Sequence, residues 1–172
     1  MRSRIRIERI DLSELGDLVD SQDYQAGYLD PSTGEVFRAF EGEVFGEDGA
    51  PLDLDQVDWV AVGGSTSSRA AYGDMEEFSA AVGDPEVATR LGSALGGRGA
   101  FRRFKDAVYD TPEEIRAAWH RFRDLRSQIR ATEWLVDEDL VDEAEAGAVM
   151  GRLEADCDNE LRPVPSRRRE PA

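Results

Sequence analysis

The chain has 172 residues, 37 of them acidic and 21 basic, for a net charge of −16. Hydrophobic residues make up 40%, enough for a packed core in one domain, or in one domain with an appendage. One Cys and one His exclude a disulfide framework and a Cys/His zinc ribbon, and no apolar run approaches the roughly 18 residues needed to cross a bilayer.

The charged start (Arg2, Arg4, Arg6, Glu8, Arg9) lacks the apolar centre of a signal peptide, so a cytoplasmic protein is expected. Alternation of Arg4, Ile5, Arg6 and Ile7 predicts a short strand with Ile5 and Ile7 on one side. Asp11-Leu12-Ser13-Glu14 is a capping-box variant, and Leu15, Leu18 and Val19 follow at helical spacing, weakened by Gly16. Tyr24 to Asp30 and Val36 to Phe40 predict a β-hairpin about the Pro31-Ser32-Thr33-Gly34 turn. Residues 41–55 are acidic and Gly-rich and predict a loop. Val57 to Val62 predicts a buried strand, and Gly63 to Ser68 a loop of small residues.

From Asp74 the period becomes helical, with Met75, Phe78, Ala81 and Val82 on one face. Asp84-Pro85 opens a second helix by capping, carrying Val87, Leu91 and Leu95. Phe101, Phe104 and Val108 mark a third. Thr111-Pro112-Glu113-Glu114 is a capping box before the longest helix, whose apolar stripe runs from Ile115 through Trp119 and Phe122 to Leu135. Leu140 to Leu153 predicts one more helix, and Pro163, Pro165 and Pro171 with Arg167, Arg168 and Arg169 a disordered tail. The expected fold is α+β, an N-terminal β-hairpin and short strands packed on a C-terminal helical half. The expected division is 1–137 as one α+β domain, 138–160 as an acidic helical extension and 161–172 as a basic tail.

Charge is segregated along the chain. Residues 11–97 oppose their acids with Arg38, Arg69 and Arg90 alone, and 136–160 with Arg152 alone. Between these blocks, 98–135 is net basic. A segregated pattern argues for a face rather than for solubility alone.

Few residues offer catalytic chemistry. His120, beside Trp119, is the one plausible general base, and a lone His there is more often a packing or surface residue. Cys157 lies among acids that raise a thiol pKa, and is expected in a mobile segment. Ser65, Ser67 and Ser68 lack a nucleophile elbow and a nearby base. The 41–55 loop lacks EF-hand spacing. No cofactor or metal is expected, nor a catalytic centre.

The sharper feature is Gly97-Arg98-Gly99-Ala100-Phe101-Arg102-Arg103-Phe104-Lys105-Asp106. Glycines before a helix start expose backbone N–H groups that attract anions, and Arg98, Gly99, Arg102, Arg103 and Lys105 form a candidate anion-binding set, with His120 as a possible accessory. Phe101 and Phe104 are expected to anchor the helix inward. The competing reading is a tight interhelical turn whose arginines pair with Glu76, Glu77, Asp106 or Asp110.

Three blocks carry a resemblance to a known family. They are Tyr28-Leu29-Asp30 with Thr33-Gly34-Glu35-Val36, then Asp74-Met75-Glu76-Glu77-Phe78, and then the Gly97 to Asp106 run with Trp119, Phe122 and Glu133-Trp134-Leu135. Over roughly residues 12–136 the chain resembles bacterial uncharacterised protein family 0158. It departs from that pattern at Gly63-Gly64, where a proline is often expected, and in its acidic C-terminal stretch. The resemblance implies a single cytoplasmic bacterial domain and brings no activity, ligand or catalytic residue with it.

The function expected from these observations is a small non-enzymatic binding or regulatory module whose Gly97–Lys105 surface takes an anionic ligand or protein partner. Nucleic acid is the alternative partner, disfavoured by the overall charge. An enzyme acting on an anionic substrate through His120 is the second alternative. No membrane partner is expected.

Overall fold

The computed structural model describes residues 3–162. The segment from 163 onward, with the expected disordered tail and Arg167–Arg169, lies outside the described residues. The fold is α+β, with six α-helices and one three-stranded antiparallel sheet among the described residues. The chain forms two compact units, Met1–Ser67 with Asp124–Glu154, and Ser68–Arg123 with Ala155–Ala172.

In the first unit, the N-terminal segment buries Ile5, Ile7 and Ile10 but is not the expected strand. The Ile5 N–H donates to the Leu140 carbonyl at 2.7 Å, and the chain then closes a 3-10 turn over Ile7–Arg9. A strand needs a ladder of partners, and this segment has one backbone bond to a neighbour. Helix α1 (Leu12–Val19) starts where the capping pattern puts it, with the Asp11 carboxylate accepting the Glu14 N–H at 3.0 Å. Gly16 is required by packing: a Cβ there would sit 2.8 Å from the Ser127 carbonyl oxygen. What looks like a helix-weakening residue is the close approach of α1 to the longest helix.

Strands β1 (Gly27–Leu29), β2 (Val36–Arg38) and β3 (Val60–Val62) pair in the order β2-β1-β3. The expected hairpin forms with Tyr28 opposite Phe37, but its strands are shorter than Tyr24–Asp30 and Val36–Phe40, and the expected buried strand Val57–Val62 is reduced to β3, in which only Val62 is buried. Its turn is tied by the Asp30 carboxylate, which accepts from the Ser32 N–H and hydroxyl, and by Gly34 at φ +82°. Leu29 and Val62 face the core, while Phe37 and Trp59 stack at 4.3 Å on the sheet's other face, so Trp59 is only half-buried. After β3, Gly63 (φ +143°) and Gly64 (φ +65°) press against the Asp23–Ala26 segment, and the Gly64 N–H reaches the Ser21 carbonyl at 2.8 Å. Any Cβ at either position would collide with that segment.

The core of this unit joins Ile5, Ile7, Leu15, Leu18, Leu29 and Val62 to Ala131 and Leu135, and to Leu140, Val141 and Ala146 from the acidic stretch beyond residue 137. Helix α5 (Glu113–Asp137) ends in a Schellman arrangement. Asp139 adopts φ +55°, its N–H returns to Val136, and the Leu140 N–H returns to Leu135 at 3.0 Å. Helix α6 (Glu143–Leu161) is capped by Asp142, which accepts from the Ala144 and Glu145 N–H groups, and it runs eight residues beyond the expected Leu153 end.

In the second unit, α2 (Ser68–Ala81) starts six residues before the expected Asp74, absorbing the end of the small-residue loop. Helix α3 (Pro85–Ala94) has the expected cap, with Asp84 accepting from the Glu86 and Val87 N–H groups. Helix α4 spans Ala100–Tyr109. Thr111 does not cap α5 as the pattern implied; its hydroxyl donates to the Val108 carbonyl at 2.6 Å and closes the end of α4. The core is aromatic, with Phe104 edge-on to Trp119 at 5.0 Å and Phe78 at 5.3 Å from the same indole. Cys157 is buried in α6 rather than in a mobile segment. Among the described residues no helix is long and apolar enough to cross a membrane.

Candidate functional site

The Gly97–Asp106 run forms the turn between α3 and α4 and the first two turns of α4. The turn is possible because Gly97 and Gly99 both sit in the left-handed region, at φ +73° and +75°. Gly99 is the N-cap of α4 and has no side chain, so the first N–H groups of the helix carry no side-chain cap, and no acidic residue stands in the first turn. That end therefore keeps its full partial positive charge.

Which way each side chain points follows from helical spacing. Ala100, Phe104 and Val108 fall at i, i+4 and i+8 and are buried. Phe101 lies off that stripe and is 48% exposed, so it does not anchor the helix inward as its spacing from Phe104 implied. Phe104 alone of the pair fills the core. Arg98, Arg102 and Lys105 are exposed, and their side chains hold no ion pair or hydrogen bond to another described residue. The expected pairing of these groups with Glu76, Glu77, Asp106 or Asp110 does not form.

Arg103 is different. Its guanidinium donates to the carbonyls of Ala94 (3.2 Å from Nε), Gly96 and Arg98. These are carbonyls at the end of α3 and in the turn, groups that a helix C-terminus leaves without partners. The planar fork of Arg suits three carbonyls held in an arc. Arg103 is thus a brace of the turn, and the residues it fixes are those that present Arg98 and Arg102.

Two residues join this face that sequence reasoning passed over. Tyr109, 73% exposed, lies at i+8 from Phe101 and i+4 from Lys105. The Arg116 guanidinium stands 5.5 Å from the centre of the Tyr109 ring, and its Nη1 donates to the Tyr109 carbonyl at 3.2 Å. The i, i+4, i+8 spacing of Phe101, Lys105 and Tyr109 was the available signal. It was masked because aromatic residues at helical spacing usually mark core.

His120 is exposed on α5 and makes no hydrogen bond with the arginine set. Among the described residues no three His, Cys, Asp or Glu side chains stand together as metal ligands.

The first unit contains a different polar cluster. Asp20, at the end of α1, accepts from the Thr66 hydroxyl at 2.6 Å, from the Ser127 hydroxyl, and from Arg130 through Nε at 2.8 Å and Nη2 at 2.7 Å. Burial alone pushes its carboxyl up, but these hydrogen bonds and the Arg130 charge outweigh it and hold the group below the ordinary carboxylate value. Both carboxylate oxygens are occupied, so the cluster is a clamp rather than a reactive site. An open cavity of about 300 Å³ in the same unit is lined by Ile7, Ile10, Leu12, Val149 and Arg152, among others.

The fold and this surface define a small α+β protein that displays unpaired cations and exposed aromatic rings on one helix of a strongly acidic chain. It belongs to the uncharacterised protein family UPF0158, whose profile matches residues 5–150. It is similar to a UPF0158 protein of Pseudomonas aeruginosa, 31% identical over 74 residues, or 43% of this chain and 48% of the relative. The matched stretch thus spans about half the length of that relative. No solved structure matches the chain.

Proposed function

We propose that the protein is a non-enzymatic binding module whose α4 surface takes an anionic partner. The observation that carries this reading is the exposure of Arg98, Arg102 and Lys105 without any carboxylate partner among the described residues, in a chain of net charge −16. Arg4, Arg6, Arg38, Arg90, Arg121 and Arg130 hold acidic partners, while the exposed Arg9, Arg69, Arg123 and Arg152 hold none among the described residues; what distinguishes Arg98, Arg102 and Lys105 is their grouping at one helix start. The uncapped N–H groups at the start of α4 add donors beside those cations.

Inorganic polyphosphate is a direct probe. Saturable, salt-sensitive binding by the full chain is expected, lost in the triple variant Arg98→Gln, Arg102→Gln, Lys105→Gln, whose exposed positions leave the fold intact. Equal binding by parent and triple variant, or none by the parent at low salt, overturns the reading.

A further inference from the structure

We infer that the anionic partner of the α4 surface is a single-stranded nucleic acid, a step that rests on the reading above. Cations alone suit any polyanion. What narrows the class is that flat, exposed rings alternate with them. Phe101 and Tyr109 lie on one side of α4, and Lys105 stands between them at four-residue spacing from each. Arg98 and Arg102 flank Phe101 at one end, and Arg116 covers the Tyr109 ring at the other.

The two rings are eight residues apart, or about 12 Å along the helix axis. That separation matches three to four stacked nucleotides at about 3.4 Å each. A single strand offers phosphates to the cations and the uncapped helix start, and bases to the rings; stacking is indifferent to base identity because every base has a π-face. An acidic peptide would use the cations and leave Phe101 and Tyr109 without an assigned contact. A duplex keeps its bases stacked inside and out of reach of both rings.

The overall charge limits the affinity without forbidding the contact. From Arg98 to Arg116 five cations (Arg98, Arg102, Arg103, Lys105 and Arg116) stand against four acids (Asp106, Asp110, Glu113 and Glu114), so the stretch keeps a net charge of one positive. Repulsion from the acidic blocks is screened beyond roughly 8 Å at physiological ionic strength. The site therefore binds weakly and locally.

The test is fluorescence anisotropy with labelled oligothymidylate and oligouridylate decamers on the full chain, alongside a matched duplex, oligoglutamate and polyphosphate. Both single strands are expected to bind more tightly than the duplex and oligoglutamate. The relative strength of the two decamers then distinguishes DNA from RNA as the source of the strand. Phe101→Leu keeps the apolar bulk without the ring and is expected to weaken decamer binding about tenfold, with Phe101→Tyr restoring it. The same Leu variant is expected to leave polyphosphate binding unchanged, which separates stacking from charge. Phosphate contacts to three cations predict a loss of about twentyfold between roughly 50 and 200 mM salt. If polyphosphate binds but the decamers bind no better than oligoglutamate, or Phe101→Leu has no effect on them, the nucleic-acid assignment fails and the anion reading stands. If no polyanion binds, both fail.

Discussion

Asp20 illustrates how one carboxylate can hold several segments. It ties the end of α1 to Thr66 after β3 and to Ser127 and Arg130 on α5, with its side chain 22% and that of Arg130 16% exposed. Because its folded pKa lies below the unfolded value, its stabilisation is complete above about pH 4 and is lost as pH falls through the folded value. Asp20→Asn is expected to cost about 2 kcal/mol at pH 7, after discounting for partial exposure, and to flatten the acid limb of stability. Urea unfolding at pH 7 and at pH 3 reads both effects, and a variant as stable as its parent at pH 7 contradicts the clamp. Nothing in the linear pattern marks Asp20, since its partners lie 46, 107 and 110 positions away. Phe101 was misread for a related reason: spacing places a ring on a helix face but does not say which face the neighbouring helices cover.

Within elements, glycine separates local propensity from packing. Gly16 and Gly147 both sit inside helices, where Ala is favoured by about 1 kcal/mol. Around Gly147 a Cβ meets nothing within 4 Å, whereas at Gly16 it would meet the Ser127 backbone at 2.8 Å. Gly147→Ala is expected to raise stability by about 0.5–1 kcal/mol. Gly16→Ala is expected to lower it by about 1–3 kcal/mol, because a backbone cannot rotate away as a side chain does. Thermal melts of the two variants should therefore move in opposite directions, and a Gly16→Ala protein as stable as its parent refutes the tight contact. Capping signals were legible at Asp11 and Asp84, though not at Thr111, because a cap is a contact between residues two or three apart. The N-terminal strand was not, because alternation records which side is buried but not whether a partner strand runs alongside.

For the molecule as a whole, the segment after α5 carries most consequence. Leu140, Val141, Ala146 and Leu153 are buried, and the first three lie in the core of the first unit. A chain ending at Asp137 removes them and the Leu140 carbonyl that receives the Ile5 N–H. Each large aliphatic lost from a core costs about 2–5 kcal/mol, against a typical total of about 5–15. The truncated chain is expected to lose cooperative unfolding of that unit by circular dichroism, and a sharp transition in it would show that residues 1–137 suffice. The acidic composition of 138–160 hid this role, since one buried residue in each helical turn leaves the average charge high.

The sequence by itself determined the α+β class, the hairpin, the capped starts of α1 and α3, the segregation of charge and the family. Each is carried by contacts a few residues apart or by an unbroken run such as Gly97–Asp106. Only the tertiary structure decided that Gly16 is a packing contact, that Arg103 braces a turn while the side chains of Arg98, Arg102 and Lys105 find no partner among the described residues, and that Phe101 faces solvent beside them. Those outcomes depend on which surfaces distant segments cover, and burial and pairing are properties of that coverage rather than of spacing along the chain.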